Sequence, residues 1–279
     1  MDYATIMVHL DASRHMHQRL HLAVQLAVEY QATLIGLLAL GEPEPRSTRY
    51  LMDGDRYLAS YKEWQRHAGE MARQAFLGAT DGLVIPTEWR TTEWATAATV
   101  QGDAHAADLI VLGQRDPADN EAFDDPHFVE SVVLQCGRPA LVVPYAGAFP
   151  KVGKTILVAW NGSREAARAI HDALPFLRRA ESVDVVSWGK PDVSSDLWLS
   201  PARYAVEWLS RHRVQAQLHD IETDVGNDTG EMLLSRAADL GSDLIVMGAY
   251  GHGRVRELVL GGVTRTILAS MTVPVLLSH

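Results

Sequence analysis

The chain has 279 residues, 47% of them apolar and 22% charged, which is ordinary for a globular protein and ample for two cores. Its net charge of −10 argues against a general nucleic-acid-binding role, and its one cysteine, Cys136, excludes an intrachain disulfide. No apolar run approaches the roughly 20 residues of a membrane span, and a strand pattern already begins at Thr5, so a cytoplasmic protein with no signal peptide and no membrane or nucleic-acid partner is expected.

Ile6 to Leu10 reads as a short strand that ends at Asp11-Ala12-Ser13, and a helix follows to about Tyr30 with Leu20, Val24, Ala27 and Val28 on one face. Thr33 to Leu40 is a continuous apolar run, as expected of a parallel strand buried on both faces. After the break at Gly41-Glu42-Pro43-Glu44-Pro45 the pattern is helical from about Tyr50 to Gly78. Leu83 to Arg90 is a strand whose Pro86 suggests a sheet edge, Thr92 to Ala106 a helix, Asp108 to Gly113 a strand, 127–136 a helix and Ala140 to Pro144 a strand.

Ala146-Gly147-Ala148-Phe149-Pro150 reads as a linker, after which the alternation restarts. Thr155 to Trp160 is a strand, Asn161-Gly162-Ser163 a turn that can cap a helix reaching about Arg178, and Val183 to Trp188 a strand. Pro201 to His212 is a helix, Val214 to Ile221 a strand, 228–240 a helix, 243–248 a strand, 262–271 a helix and 273–278 a strand. Alternating β and α elements in each half imply parallel sheets covered by helices.

The halves repeat one another. Ala107-Asp108-Leu109-Ile110-Val111-Leu112-Gly113 matches Ser242-Asp243-Leu244-Ile245-Val246-Met247-Gly248, and Pro139 to Val143 matches Pro274 to Ser278, both at an offset of 135. The openings, His9 to Arg14 and Ala159 to Arg164, match at an offset of 150, so the first half carries about 15 extra residues, placed around 41–60. Tandem domains at 1–146 and 152–279 are expected.

In the second half, strand 243–248 runs into Gly248, Gly251, Gly253, Gly261 and Gly262 and then into a helix. Strand, glycine loop and helix start present backbone N–H groups to a phosphate, although the same spacing also serves a purely structural connection. The first half is an internal control. Opposite Gly251 stands Asp116, and opposite Gly261 and Gly262 stand Pro126 and His127, with Asp119, Glu121, Asp124 and Asp125 adding negative charge. The second loop instead carries His252, Arg254, Arg256 and Arg265. Phosphate is therefore expected in the second half only.

These residues resemble the universal stress protein family, in a tandem two-domain form, over essentially the whole length. The resemblance implies an α/β fold, each domain a five-stranded parallel sheet with helices on both faces, Rossmann-like and of the adenine nucleotide alpha hydrolase type. Gly248-x2-Gly251-x9-Gly261 fits the loop of the ATP-binding members, but Gly262 stands where they have Ser or Thr, and Thr264 lies two residues on. By position, the nucleotide would be bound by Ala159, Trp160, Asn161, Trp188, Met247, Gly248, Gly251, His252, Gly253, Arg254, Gly261, Gly262, Val263 and Thr264. Asn161 stands where the family usually has Asp. The resemblance implies a stress-response regulator with ATP and its Mg as ligand and room for a homodimer. No catalytic base is evident, so at most weak ATP hydrolysis is expected. The alternative is a non-nucleotide interaction or small-ligand scaffold of the same fold.

Remaining candidates read as structural. His15, His17 and His21 lack the spacing of a metal set, Cys136 reads as a buried thiol, Ser163 as a helix cap rather than a hydrolase nucleophile, and Tyr57, Tyr61 and Trp64 as packing.

Overall fold

A computed structural model describes residues 2–41, 53–92, 96–119, 127–188, 201–221, 229–251 and 262–279. The chain divides into two compact units, Tyr3–Cys136 and Met1–Asp2 with Gly137–His279.

In the first unit, β1 (Thr5–Leu10), β2 (Thr33–Ala39), β3 (Thr87–Thr92) and β4 (Leu109–Gly113) form a wholly parallel array in the order β3-β2-β1-β4. Helices α1 (Met16–Tyr30), α2 (Gly54–Thr80), α3 (Ala97–Ala104) and α4 (Phe128–Gln135) complete the unit. β1 and β4 are buried almost throughout, which is why both read as unbroken apolar runs. The third strand starts at Thr87 rather than Leu83. Pro86 has no N–H for a ladder, but its carbonyl accepts from Leu34 N (2.9 Å) and so opens the pairing.

The second unit holds β5 (Ala140–Val143), β6 (Thr155–Trp160), β7 (Ser182–Trp188), β8 (Gln217–Ile221), β9 (Leu244–Gly248) and β10 (Val275–Ser278) in the order β5-β10-β9-β6-β7-β8. Its helices are α5 (Arg164–Asp172), α6 (Leu174–Leu177), α7 (Pro201–Arg211), α8 (Thr229–Asp239) and α9 (Gly262–Ser270). The single helix expected up to Arg178 is broken into α5 and α6, because Pro175 cannot donate a backbone hydrogen bond.

The expectation of an α/β fold with five strands from each half holds, and the contact it did not include is at β5. That strand lies in the second unit and runs antiparallel to β10, with Leu141 opposite Leu276. These two leucines are equivalent at the offset of 135, so the two last strands of the repeat pair about their own midpoint. The other strand pairs of the unit are parallel.

The repeated aspartates have a structural explanation. Asp108 accepts from Ala4 N and Thr5 N at 2.9 and 3.0 Å, and Asp243 from Gly153 N, Lys154 N and Thr155 N at 2.9 to 3.1 Å. The Asp108 carboxylate thus fixes the entry of β1, and that of Asp243 the entry of β6. The extra length of the first half sits in α2, which has 27 residues against 11 in α7. Tyr57, Tyr61 and Trp64 form a half-exposed aromatic ladder along α2 with centroids 6.3 and 5.3 Å apart, and Cys136 is buried.

Candidate functional site

In the second unit the chain leaves β6 toward β7 and β8 on one side, and β9 and β10 lie on the other. Successive loops diverge between β6 and β9, and the carboxyl edge there is where open parallel sheets bind ligands. The register brings Ala159 opposite Met247 across this switch point. Trp160 and Trp188 close β6 and β7 on the same edge, and Ala159, Trp160, Trp188 and Gly248 are all partly open to solvent, whereas Met247 is buried. The indole Nε1 of Trp160 is buried and has no hydrogen-bond partner among the described residues.

Asn161 makes a turn. Its side-chain oxygen accepts from Ser163 N (3.1 Å), and Ser163 Oγ accepts from Ala166 N (3.1 Å), capping α5. This confirms Ser163 as a cap. Glu165, in the first turn of α5 and 4% exposed, is a site residue that the sequence reading missed. Burial pushes its carboxyl up, but the Arg164 guanidinium, its own backbone N–H and Ser163 outweigh this and hold it below the usual range.

Gly248 and Gly251 are explained by this helix start. A Cβ on Gly248 would lie 2.5 Å from both Ala166 N and the carbonyl carbon of Glu165, so only glycine lets β9 end against the first turn of α5. A Cβ on Gly251 would lie 2.9 Å from Glu165 Oε2 and 3.0 Å from Ser163 Oγ. The left-handed backbone of this loop falls on Tyr250 (φ 60°), so the glycine at 251 answers to close approach. His252, Gly253, Arg254 and Gly261 lie outside the described residues. Gly262 opens α9 with nothing within 4 Å of an added Cβ, Val263 is half-exposed, and Thr264 is buried at 3% on the Ile267 face of the helix.

The first unit fills the corresponding edge with its own side chains. His9 stands where the second has Ala159; it is 2% exposed, lies against Phe128 (5.0 Å between rings), and its Nε2 bonds the Ala39 carbonyl (2.9 Å). Phe128 stands where the second has Val263. Arg19 stands where the second has Ala169; it is buried, donates to Asp11 Oδ1 at 2.8 Å, and its guanidinium occupies the space beside Gly113. Burial raises the Asp11 carboxyl, but Arg19, His9 and the Ser13 N–H hold it below the usual range. Asp116, opposite Gly251 in the repeat, is buried between Arg14 and His15, with His15 Nε2 at 2.9 Å; these bonds and one from Ala118 N hold its carboxyl well below the usual range. Asp119 accepts from Arg14 N and Ser13 Oγ. The signal for this filling was present in the repeat, where His9, Arg19 and Phe128 align with two alanines and a valine.

The second unit is therefore a doubly wound α/β domain whose strand order reverses between β6 and β9, the class of fold that binds small ligands at its strand ends. Residues 153–279 match the model of the universal stress protein family. Over 175 residues the chain is 28% identical to Universal stress protein Slr1230 of Synechocystis sp., covering 61% of this chain and 57% of that protein, so it spans little more than half the length of this curated relative. A universal stress protein from Archaeoglobus fulgidus superposes with a TM-score of 0.70 at 16% identity, over 98% of this chain and 95% of that one. A functionally unknown protein from Pseudomonas aeruginosa PAO1 superposes with a TM-score of 0.62 at 15% identity, over 99% and 92%. Both show the shared fold. Among the described residues no helix is long and apolar enough to cross a membrane.

Proposed function

We propose that the second unit binds an adenine nucleotide, ATP with its magnesium, at the carboxyl ends of β6, β7 and β9, and that the first unit has lost this capacity. The protein then acts as a stress-associated regulator that reports nucleotide occupancy, with at most weak ATP hydrolysis. The observation that carries this reading is the contrast at one edge: His9, Arg19 and Phe128 fill the crevice in the first unit, where the second offers Ala159, Ala169 and Val263. Trp160 adds a buried donor that awaits an acceptor, and an unmatched donor is worth about 1–3 kcal/mol to a ligand that satisfies it. In this arrangement Trp160 and Trp188 border the base, Ala159 and Asn161 the ribose side, and the backbone after Gly248 the phosphates, with His252, Gly253, Arg254, Gly261, Gly262, Val263 and Thr264 completing the loop. Magnesium would enter with the triphosphate.

A second reading has a specific observation in its favour. Gly248 and Gly251 are both accounted for by packing against α5, and Gly262 lacks the hydroxyl of the ATP-binding loop, so the same fold could serve as an interaction or small-ligand scaffold. Mass spectrometry of the denatured protein, followed by calorimetry with ATP and ADP, separates the two. Nucleotide in the preparation, or saturable heat, supports the first. No nucleotide, no heat and no thermal shift at millimolar ATP leaves the scaffold.

A further inference from the structure

We infer that the edge of the second unit's sheet carries a proton-sensitive clasp, in which a neutral His219 on β8 holds Arg236 on α8 and a protonated His219 releases it. His219 Nε2 lies 2.6 Å from Asp184 Oδ1 on β7, and His219 Nδ1 lies 3.0 Å from Arg236 Nη2. A guanidinium can only donate, so Nδ1 is the acceptor, and Nε2 carries the hydrogen that goes to Asp184. The second Asp184 oxygen accepts from Ser182 Oγ at 3.2 Å, so the serine is tied to the acid and not to the imidazole, and the string is no hydrolytic triad. Asp184 is buried, His219 is partly buried, and Arg236 Nε is buried with no hydrogen-bond partner. Among the described residues the bond to His219 is the one polar tie of the Arg236 side chain.

Asp220 alternates to the other face of β8, and Gln217, on the same face as His219, is uncharged. α7 also packs on β8, but among the described residues it makes no polar contact with His219. A proton added to His219 must therefore go to Nδ1, where it meets an Arg236 N–H. Donor then faces donor and cation faces cation, while the bond to Asp184 gains charge. His219 stays with β7 and lets go of α8.

The first unit supplies the control. There Met7 pairs with Ile35 and Ile35 with Glu88; here Leu157 pairs with Asp184 and Asp184 with Gln217. Met7 and Leu157 are equivalent at the offset of 150, so Arg90, two residues after Glu88, occupies the place of His219. Arg90 also reaches the next helix, through Asp103 on α3 at 3.2 Å, and Ile35 stands where the second unit has Asp184. Both units thus tie the edge strand to the helix that follows it. A guanidinium and a carboxylate keep their charges across the neutral range, and an imidazole does not. Of the two ties, that of the second unit is the one a single proton can undo. α8 packs on α9, where a Cβ on Gly230 would lie 2.7 Å from the Thr266 Cβ, so the helix released is the one that backs α9. The clasp does not depend on the nucleotide reading above.

The test is hydrogen exchange of the full chain, read by mass spectrometry over residues 229–239 and corrected for the intrinsic effect of pH. It is run at about pH 8 and about pH 5, the range over which an imidazole changes charge. The parent should lose about three- to tenfold of its protection in α8 on acidification, the worth of one net hydrogen bond. His219→Gln keeps an acceptor for Arg236 and a donor for Asp184 without a titrating group, so its α8 should be protected alike at both values. Arg236→Met removes the tie, and its α8 should exchange at both values as the parent's does in acid. NMR of the imidazole nitrogens adds a reading independent of exchange: at about pH 8 His219 should be the Nε2–H tautomer. An Nδ1–H tautomer, a parent whose α8 protection does not change, or a loss in either variant equal to the parent's overturns the clasp.

Discussion

Three glycines around the loop occupy three different environments, so adding one methyl group to each should have three different outcomes. In Gly248→Ala the new Cβ would sit 2.5 Å from the backbone of Ala166 and Glu165, against an ordinary contact of 3.4 to 4 Å. Neither obstructing atom is on a flexible side chain, so α5 must back away by about 1 Å. Overpacking of this kind costs about 1–3 kcal/mol, and loosening the Ser163 cap adds about 1 kcal/mol. At about 2–4 °C per kcal/mol for a protein of this size class, melting should fall by roughly 5–15 °C. Gly251→Ala meets side-chain oxygens at 2.9 and 3.0 Å, which can shift by a few tenths of an ångström, so its cost should stay below about 1 kcal/mol. Gly262→Ala meets nothing within 4 Å at a helix start and should be neutral or stabilising by up to about 0.5–1 kcal/mol. Thermal and urea unfolding followed by far-ultraviolet circular dichroism read all three. The reasoning is refuted if Gly248→Ala melts with the parent, or if Gly262→Ala is as damaging as Gly248→Ala.

Other expectations follow from the same edge. Burial, assisted by Arg19, pushes His9 down to about 4 although Asp11 and the Ala39 carbonyl pull it up. The unfolded chain takes up that proton near about 6.5, so the first unit should be fully stabilised above that value and lose about 2–4 kcal/mol as the pH falls toward about 4. Urea midpoints across this range should show the slope in the parent and a much shallower one in His9→Gln. Asp11→Ala leaves the Arg19 guanidinium buried without its carboxylate and should cost about 3–5 kcal/mol. Asp11→Asn with Arg19→Leu should recover most of that stability in chemical denaturation. Trp160→Phe removes an unmatched buried donor, so it should leave stability unchanged or raised while weakening ATP by about three- to tenfold, a net hydrogen bond of about 1 kcal/mol. Unchanged ATP heat in that variant would remove Trp160 from the site.

The architecture was legible because the apolar runs of β1, β4, β6 and β9 have no other physical use than strands buried on both faces. The partner of β5 was not legible. Four apolar residues, Ala140 to Val143, carry no mark of whether their neighbour runs parallel or antiparallel. In the site, the glycine spacing was visible but its cause was not: Gly248 and Gly251 look the same in a motif, and only coordinates show one against backbone and the other against a carboxylate. Glu165 carries no mark in the sequence that sets it apart from other acids in the first turn of a helix. The filled crevice of the first unit needed His9, Arg19 and Phe128 to be recognised as neighbours, and they are far apart along the chain.

The pairing of β5 with β10 bears on how the halves can be separated. A chain begun at 152 would strip β5 away and expose the N–H and C=O row of β10, a short apolar edge of Val275, Leu276, Leu277 and Ser278. Because β5 and β10 are equivalent strands joined about the Leu141–Leu276 pair, the register is self-complementary, and a second β10 can replace β5 with Leu276 facing Leu276. Residues 152–279 should therefore self-associate as two-fold dimers. Light scattering on that fragment reads its association state, and a monomer would refute the self-complementary register.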